Sequence, residues 1–388
     1  MVGQSMAIAA ARLGLSVMLI EKYAMPAQLD PAFDGRVSAI AHGSSLILDS
    51  IGAWDAMHAH AEPILDIRVS DGKSPFFVHY DHKEVGKPFG YIVENRYIRH
   101  SLQQAAALYP NLRILDNTSI TSCKTDAEGA EVTLSNGDVF TAKLLLATDG
   151  KNSVLREQLN IPTLKTDYGQ TAIVCTIAHE KPHHGLAQER FLPAGPFAVL
   201  PLSNNRSSLV WVEPNDRVSL YLELDDENFA QEISERVGDY LGKISVEGKR
   251  FSYPLSLVHA TRYTESRFAL MGDAAHGMHP IAGQGVNMGF RDVGVMEELL
   301  RKQLENGLDI GAPELLSHYE RWRRFDNVAM LGVTHGLNHL FCSSLIPIKT
   351  ARGLGLWAVQ RMPKLKRFFM QHAMGLVGDL PENVRNRA

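Results

Sequence analysis

Gly272-Asp273-Ala274-Ala275-His276-Gly277-Met278-His279-Pro280-Ile281-Ala282-Gly283-Gln284-Gly285-Val286-Asn287-Met288-Gly289-Phe290-Arg291-Asp292 lies between a short apolar stretch at 268–271 and a long helical pattern. Glycines at 283, 285 and 289 leave no Cβ between the backbone and a flat or charged ligand. A helix beginning near Gly285 aims free N–H groups and a positive dipole end at that ligand. Asp273 follows Gly272 at the carboxyl end of a strand, where it can accept hydrogen bonds from ribityl or ribose hydroxyls. The later glycines and Asn287 can meet a ring system through backbone and amide groups. So many special residues at this spacing point to a cofactor cradle rather than to a plain turn.

The same arrangement recurs upstream. Residues 144–147 form an apolar strand that leads into Asp149-Gly150, with Ser153 and Arg156 soon after. Open α/β folds bind ligands at such strand ends, although these few residues taken alone fit a strand-to-helix turn capped by Asp149 better. At the start of the chain, 4–13 is an alanine-rich helix ended by Gly14. Residues 16–20 (SVMLI) then read as a buried parallel strand, with Glu21 at its carboxyl end. This is the back half of a dinucleotide-binding βαβ unit. Gly3 fits the last glycine of G-x-G-x-x-G, and Glu21 fits the acid that hydrogen-bonds a ribose. The front half, a strand and a glycine-rich turn, is expected upstream of Met1.

Between these landmarks, helices are expected at 44–48 and 95–108. Strands alternate over 111–146, with a hairpin at 135–138. Residues 171–214 are strand-rich around Asn204-Asn205, 253–260 adds a strand, and the pattern is helical from 286 nearly to the end. The fold class is α/β with α+β elements. A Rossmann-like domain takes 1–160 and 265–340, with its first strand missing. A mostly antiparallel sheet domain is inserted at 161–264, and a helical segment follows at 341–388.

Composition narrows the function. A net charge of −4 over 388 residues argues against a nucleic-acid partner. Three scattered cysteines form no disulfide framework or zinc pattern. His276 and His279 have no third ligand at plausible spacing, so no metal is expected. No serine-hydrolase elbow, P-loop or zincin motif occurs. His183-His184 reads as a solvated loop. Near the C-terminus no Asp or Glu occurs between Asp326 and Asp379. Lys349, Arg352, Arg361, Lys364, Lys366 and Arg367 interleave there with apolar residues. That pattern suits a basic amphipathic surface on anionic lipid, and equally a packing helix with a basic outer face.

Three ligand motifs in this order, around an inserted sheet, resemble the class A flavoprotein monooxygenases. Residues 279–292 (HPIAGQGVNMGFRD) match the signature of the ubiquinone-biosynthesis hydroxylases without departure. Residues 33–36, 189–214 and 248–262 resemble the members that act on a polyprenylated methoxyphenol. The resemblance spans essentially the whole chain and implies one FAD, with NAD(P)H, NADPH included, as reductant and O2 as co-substrate. One oxygen atom would enter a phenol ring through a flavin hydroperoxide. No catalytic side chain is nominated, because that chemistry belongs to the flavin.

The resemblance also assigns roles to individual residues. Gly3 and Glu21 would serve the adenosine half of FAD. Arg36 would contact the cofactor, and Asn95 would lie near the flavin. Asp149 and Gly150 belong to the motif shared by FAD and pyridine nucleotide, and Gly272 and Asp273 would hold the ribityl–pyrophosphate region. Pro280, Gly283, Gln284, Gly285 and Asn287 would border the isoalloxazine ring. The resemblance implies a cytoplasmic protein, peripherally attached to the inner membrane, with other ubiquinone-biosynthesis proteins as candidate partners. Two other readings fit the same residues: a sibling hydroxylase of another ring position, and a non-catalytic member of a quinone-biosynthesis assembly.

Overall fold

A computed structural model describes residues 1–30, 34–72, 74–278, 283–342 and 345–387. Helix Val2–Arg12 buries every residue from Gln4 to Ala11. Its alanines let it lie close between strand Val17–Ile20 and helix Gln284–Glu305. Val17–Ile20 pairs in parallel with Leu112–Leu115, and Leu145–Ala147 pairs in parallel with Phe268–Leu270. Parallel strands need both faces covered, and these near-continuous apolar runs supply such faces. The register sets Ala147 beside Leu270, so the two acid–glycine pairs that follow emerge from one edge.

The second unit is a seven-stranded sheet. Its order is Ile244–Ala260, Thr163–His179, Arg206–Pro214, Gly195–Leu202, Leu186–Leu192, Asp66–Asp71, Phe77–Asp81. All its pairings are antiparallel except that between Leu186–Leu192 and Asp66–Asp71. The last two strands come from outside the 161–264 segment. They cover the edge of Leu186–Leu192, which would otherwise expose a row of unpaired N–H and C=O groups. The hairpin at Asn204-Asn205 has φ of 64° and 53°, the left-handed geometry of a tight two-residue turn.

One sheet face packs Trp211, Phe197 and Leu209 under Phe229 and Ile233 of helix Asp226–Val237. That helix is capped by Asp225, which accepts from the Asn228 N–H at 2.8 Å, and Gly238 ends it at φ 79°. The other face gathers Val174, Val212, Leu255 and Phe251. Phe251 comes so near Gly35 that a Cβ there would sit 2.0 Å from its ring. The 34–36 loop therefore packs directly on the sheet.

Helices Pro313–Cys342, Ile346–Arg361, Pro363–Ala373 and Glu382–Arg385 complete the chain. The Phe341 ring stacks on Phe191 of the sheet at 3.9 Å. Among the described residues no helix is long and apolar enough to cross a membrane. One expectation is corrected here: His183 is not solvated. It is buried, its Nε2 lies 2.7 Å from the Leu202 carbonyl, and the Gly185 N–H donates to its Nδ1. The apolar strand ends on either side enclose a ring that sequence texture placed in a polar loop.

Candidate functional site

Three clusters of side chains meet around the head of helix Val2–Arg12. The first lies at the carboxyl ends of Leu145–Ala147 and Phe268–Leu270. A Cβ on Gly3 would stand 2.4 Å from Thr148 Oγ1, so only glycine lets the helix come this close to the strand end. Gly272 adopts φ 58°, and Val2 fills the space beside it and beside Gly289. Asp149 accepts from the Leu155 N–H at 3.2 Å, which ties it to the following turn. Ser153 caps helix Val154–Gln158 by accepting from the Arg156 N–H. Arg156 is buried and donates to the carbonyls of Ala274 (2.8 Å) and Lys151 (2.9 Å), clamping the two acid–glycine turns together. Gly150 sits at φ 83° with nothing near its missing Cβ. Asp273 is exposed and makes no bond or ion pair among the described residues, so its carboxylate is free to accept ligand hydroxyls.

Beneath this edge is a network that sequence reasoning missed. Asp292 Oδ2 accepts the Gly272 N–H at 2.8 Å and meets His276 Nε2 at 2.6 Å. Its Oδ1 accepts from Arg323 Nε at 2.6 Å. Arg323 also donates to Asp326 (2.9 Å) and Asn327 (3.1 Å). His276, Asp292 and Arg323 are all fully buried. Burial opposes ionisation of Asp292, but His276 and Arg323 outweigh it and lower its pKa to about 2. Arg323 lies 31 residues from Asp292, on a different helix. Its only sequence signal was an arginine in the apolar pattern of that helix.

The second cluster surrounds helix Gln284–Glu305. Gly283 is its N-cap at φ 61°, and a Cβ there would lie 3.0 Å from that of Ala39. Asn287 Oδ1 accepts from the Ala41 N–H (2.9 Å), and its Nδ2 donates to the carbonyls of Ala39 (2.8 Å) and Gly283 (3.1 Å). The Asn287 side chain thus staples the helix head to strand Val37–Ala41, rather than standing free for a ring. Gln284 is buried beside it. A Cβ on Gly285 would meet only Met278 Cγ, at 3.8 Å, and the first turn carries no acid, so the N–H groups there are unopposed. Pro280 lies outside the described residues.

The third cluster centres on Asp34, another residue not singled out from sequence. It accepts from Arg36 Nε (2.8 Å), Asn95 Nδ2 (3.0 Å) and Arg99 Nη2 (2.5 Å). Burial raises the Asp34 pKa, but these bonds outweigh it and hold the carboxyl well below the usual range. Arg36 also lies over the Tyr253 ring, 4.8 Å from its centroid. Asn95 is buried and accepts from Ser38 Oγ at 2.7 Å, which links this cluster to the strand held by Asn287. Asp273 is within electrostatic reach of Arg36. Met1, at the helix head, is within reach of Glu21, Arg99 and Asp273. Glu21 accepts from the Tyr23 N–H at 3.0 Å, at the end of strand Val17–Ile20.

The clusters present an exposed carboxylate, two helix heads without acids in their first turns, and three left-handed glycines. Those features fit a ligand with sugar-like hydroxyls, a pyrophosphate and a flat ring.

Comparison with known proteins agrees. A family model described as "FAD binding domain" matches residues 1–331. The chain is 48% identical over 385 residues to ubiquinone hydroxylase UbiL of Rhodospirillum rubrum, covering 99% of this chain and 90% of that protein. It is 32% identical to the human ubiquinone biosynthesis monooxygenase COQ6, covering 89% and 83%. Among solved structures, p-nitrophenol 4-monooxygenase PnpA of Pseudomonas putida aligns with a TM-score of 0.80 at 18% identity, over 97% and 96% of the two chains. Klebsiella pneumoniae HpxO, complexed with FAD and uric acid, aligns at 0.73 and 17%, over 97% and 95%.

Proposed function

This chain belongs to the FAD-binding monooxygenase family, and from that premise we propose that it is a ubiquinone-biosynthesis hydroxylase acting on a polyprenylated methoxyphenol. In activity it would be a 2-octaprenyl-6-methoxyphenol hydroxylase. FAD is its cofactor. When bound, FAD supplies the redox chemistry: NAD(P)H and O2 are consumed, one oxygen atom enters the ring as a hydroxyl, and the other leaves as water.

The chain's own residues bind and orient. In this reading Asp273 accepts the ribityl hydroxyls, and Asp149-Gly150 borders the pyrophosphate with the head of helix Val2–Arg12. Glu21 takes the ribose. Gly283, Gln284 and Gly285 offer backbone to the ring, while Asn287 holds that backbone in place. Arg36, positioned by Asp34, stands where the nucleotide unit meets the sheet. The apolar sheet face of Val174, Val212 and Leu255 supplies a water-poor wall for a phenol ring. A prenyl tail partitions into lipid, so the enzyme works from a membrane surface.

The observation that carries the reading is the free Asp273 carboxylate beside Asp149-Gly150 on one strand edge. The test is turnover of a prenylated methoxyphenol under 18O2. One 18O atom per product ring is expected. Product free of the label, or NAD(P)H oxidation without a hydroxylated product, would refute it. A sibling ring position is read from the same product.

A further inference from the structure

Of the nineteen large hydrophobic side chains that are exposed among the described residues, five (Leu354, Trp357, Met362, Phe368 and Phe369) lie on or between two consecutive helices. Such a concentration marks an interaction surface rather than scattered surface apolarity. In helix Ile346–Arg361, Leu354, Trp357 and Arg361 stand at i, i+3 and i+7, so they share one exposed face. The opposite face buries Leu356 against Phe341 and Val78. After Met362, helix Pro363–Ala373 repeats the pattern. Lys364, Arg367 and Phe368 are exposed, and Met370 packs into a cluster with Phe89.

The charges divide in the same way. Arg352 is buried in an ion pair with Asp71 at 2.9 Å, and Lys366 is buried on Glu84 at 2.6 Å. These two cations serve packing, so neither Arg352 nor Lys366 belongs to the outward basic face that the sequence suggested. Lys349, Arg361, Lys364 and Arg367 point outward, and none forms an ion pair among the described residues. No acidic side chain lies between Asp326 and Asp379 to neutralise them.

We propose that this two-helix elbow, with Met362 at its bend, is a docking face for an anionic lipid bilayer. Unpaired cations interleaved with Trp357, Met362 and Phe368 match a headgroup layer above acyl chains: the charges meet phosphates while the rings enter the boundary. The proposal deepens the reading above, in which the substrate is lipid-borne, but its test does not depend on turnover.

The FAD-loaded protein is sedimented with vesicles of phosphatidylcholine alone and of phosphatidylcholine mixed with phosphatidylglycerol. Binding to the mixed vesicles, weakened by salt, is expected. Each cation near the surface contributes roughly fivefold. The triple variant Arg361→Ala, Lys364→Ala, Arg367→Ala should therefore bind about 100-fold more weakly, with its flavin spectrum unchanged. Trp357→Ala with Phe368→Ala should lose binding at low and high salt alike, and Lys366→Met should bind as the parent does. Three results would overturn the proposal. They are a triple variant that binds like the parent, equal binding to both vesicle types, or a parent that self-associates and stays off vesicles. Hydroxylation of a short-chain, water-soluble phenol separates this outcome from the functional reading, because it needs no bilayer.

Discussion

Arg323 is the strongest test of how the cofactor edge is held. Arg323→Met keeps most of the side-chain volume but removes the cation facing Asp292 at 2.6 Å. Both groups are fully buried, so Asp292 would keep His276 and the Gly272 N–H but lose its ion pair. Breaking a buried pair from one side costs about 3–5 kcal/mol. In a chain of this length that lowers the melting temperature by roughly 4–6 °C. Asp292 also fixes Gly272 directly, and Gly272 precedes the free Asp273 carboxylate. FAD affinity should therefore fall with stability. The double variant Asp292→Leu, Arg323→Met separates the two effects. Replacing the whole pair with apolar groups should recover most of the stability, but the Gly272 N–H still lacks its acceptor, so FAD affinity should stay low. Differential scanning fluorimetry of the apoprotein and FAD fluorescence titration read the two quantities. The reasoning fails if Arg323→Met melts within about 1 °C of the parent and binds FAD equally well, or if the double variant recovers both properties together.

Three further outcomes follow from the same geometry. Asp273→Ala should weaken FAD binding about 10–100-fold, the worth of one or two bonds to a charged acceptor. It should leave apoprotein melting unchanged because the carboxylate is exposed, and flavin titration beside calorimetry checks both. Gly3→Ala sets a Cβ at 2.4 Å from Thr148 Oγ1 and should cost about 1–3 kcal/mol. Adding Thr148→Ala should return most of that in urea unfolding; if it does not, the close approach is not the cause. The Asp292 carboxyl is held at about 2, below its unfolded value. Its contribution of about 2 kcal/mol is therefore full above pH 4 and lost as pH falls toward 2. Asp292→Asn should flatten that part of the stability–pH curve, and an unchanged curve would show that the acid loss arises elsewhere.

Much of the fold was legible because it rests on local signals. An apolar strand ending in an acid recurs three times, at 16–21, 144–150 and 268–273, with a glycine beside the acid in the last two, and each marks a parallel strand with a polar end. The Asn204-Asn205 turn needs only two residues that tolerate positive φ. What stayed hidden is set by distant partners. Asp34 looks like one more loop acid until Asn95 and Arg99 fold onto it from 61 and 65 residues away. Arg352 and Lys366 read as surface cations, because a helix pattern does not reveal which carboxylate lies opposite. Asn287 was expected at the ring for its amide, yet the backbone of Val37–Ala41 takes that amide. Strands Asp66–Asp71 and Phe77–Asp81 join the second sheet only because its edge lies beside them in space.

The central claim is that the edge formed by Gly3, Asp149-Gly150 and Gly272-Asp273 holds FAD for ring hydroxylation. Its most direct measurement is stoichiometric: the protein is titrated with FAD, then given NADPH, O2 and a prenylated methoxyphenol. One FAD bound per chain and one hydroxylated product per NADPH consumed are expected. No flavin binding, or NADPH consumed with hydrogen peroxide as the sole product, would contradict the account.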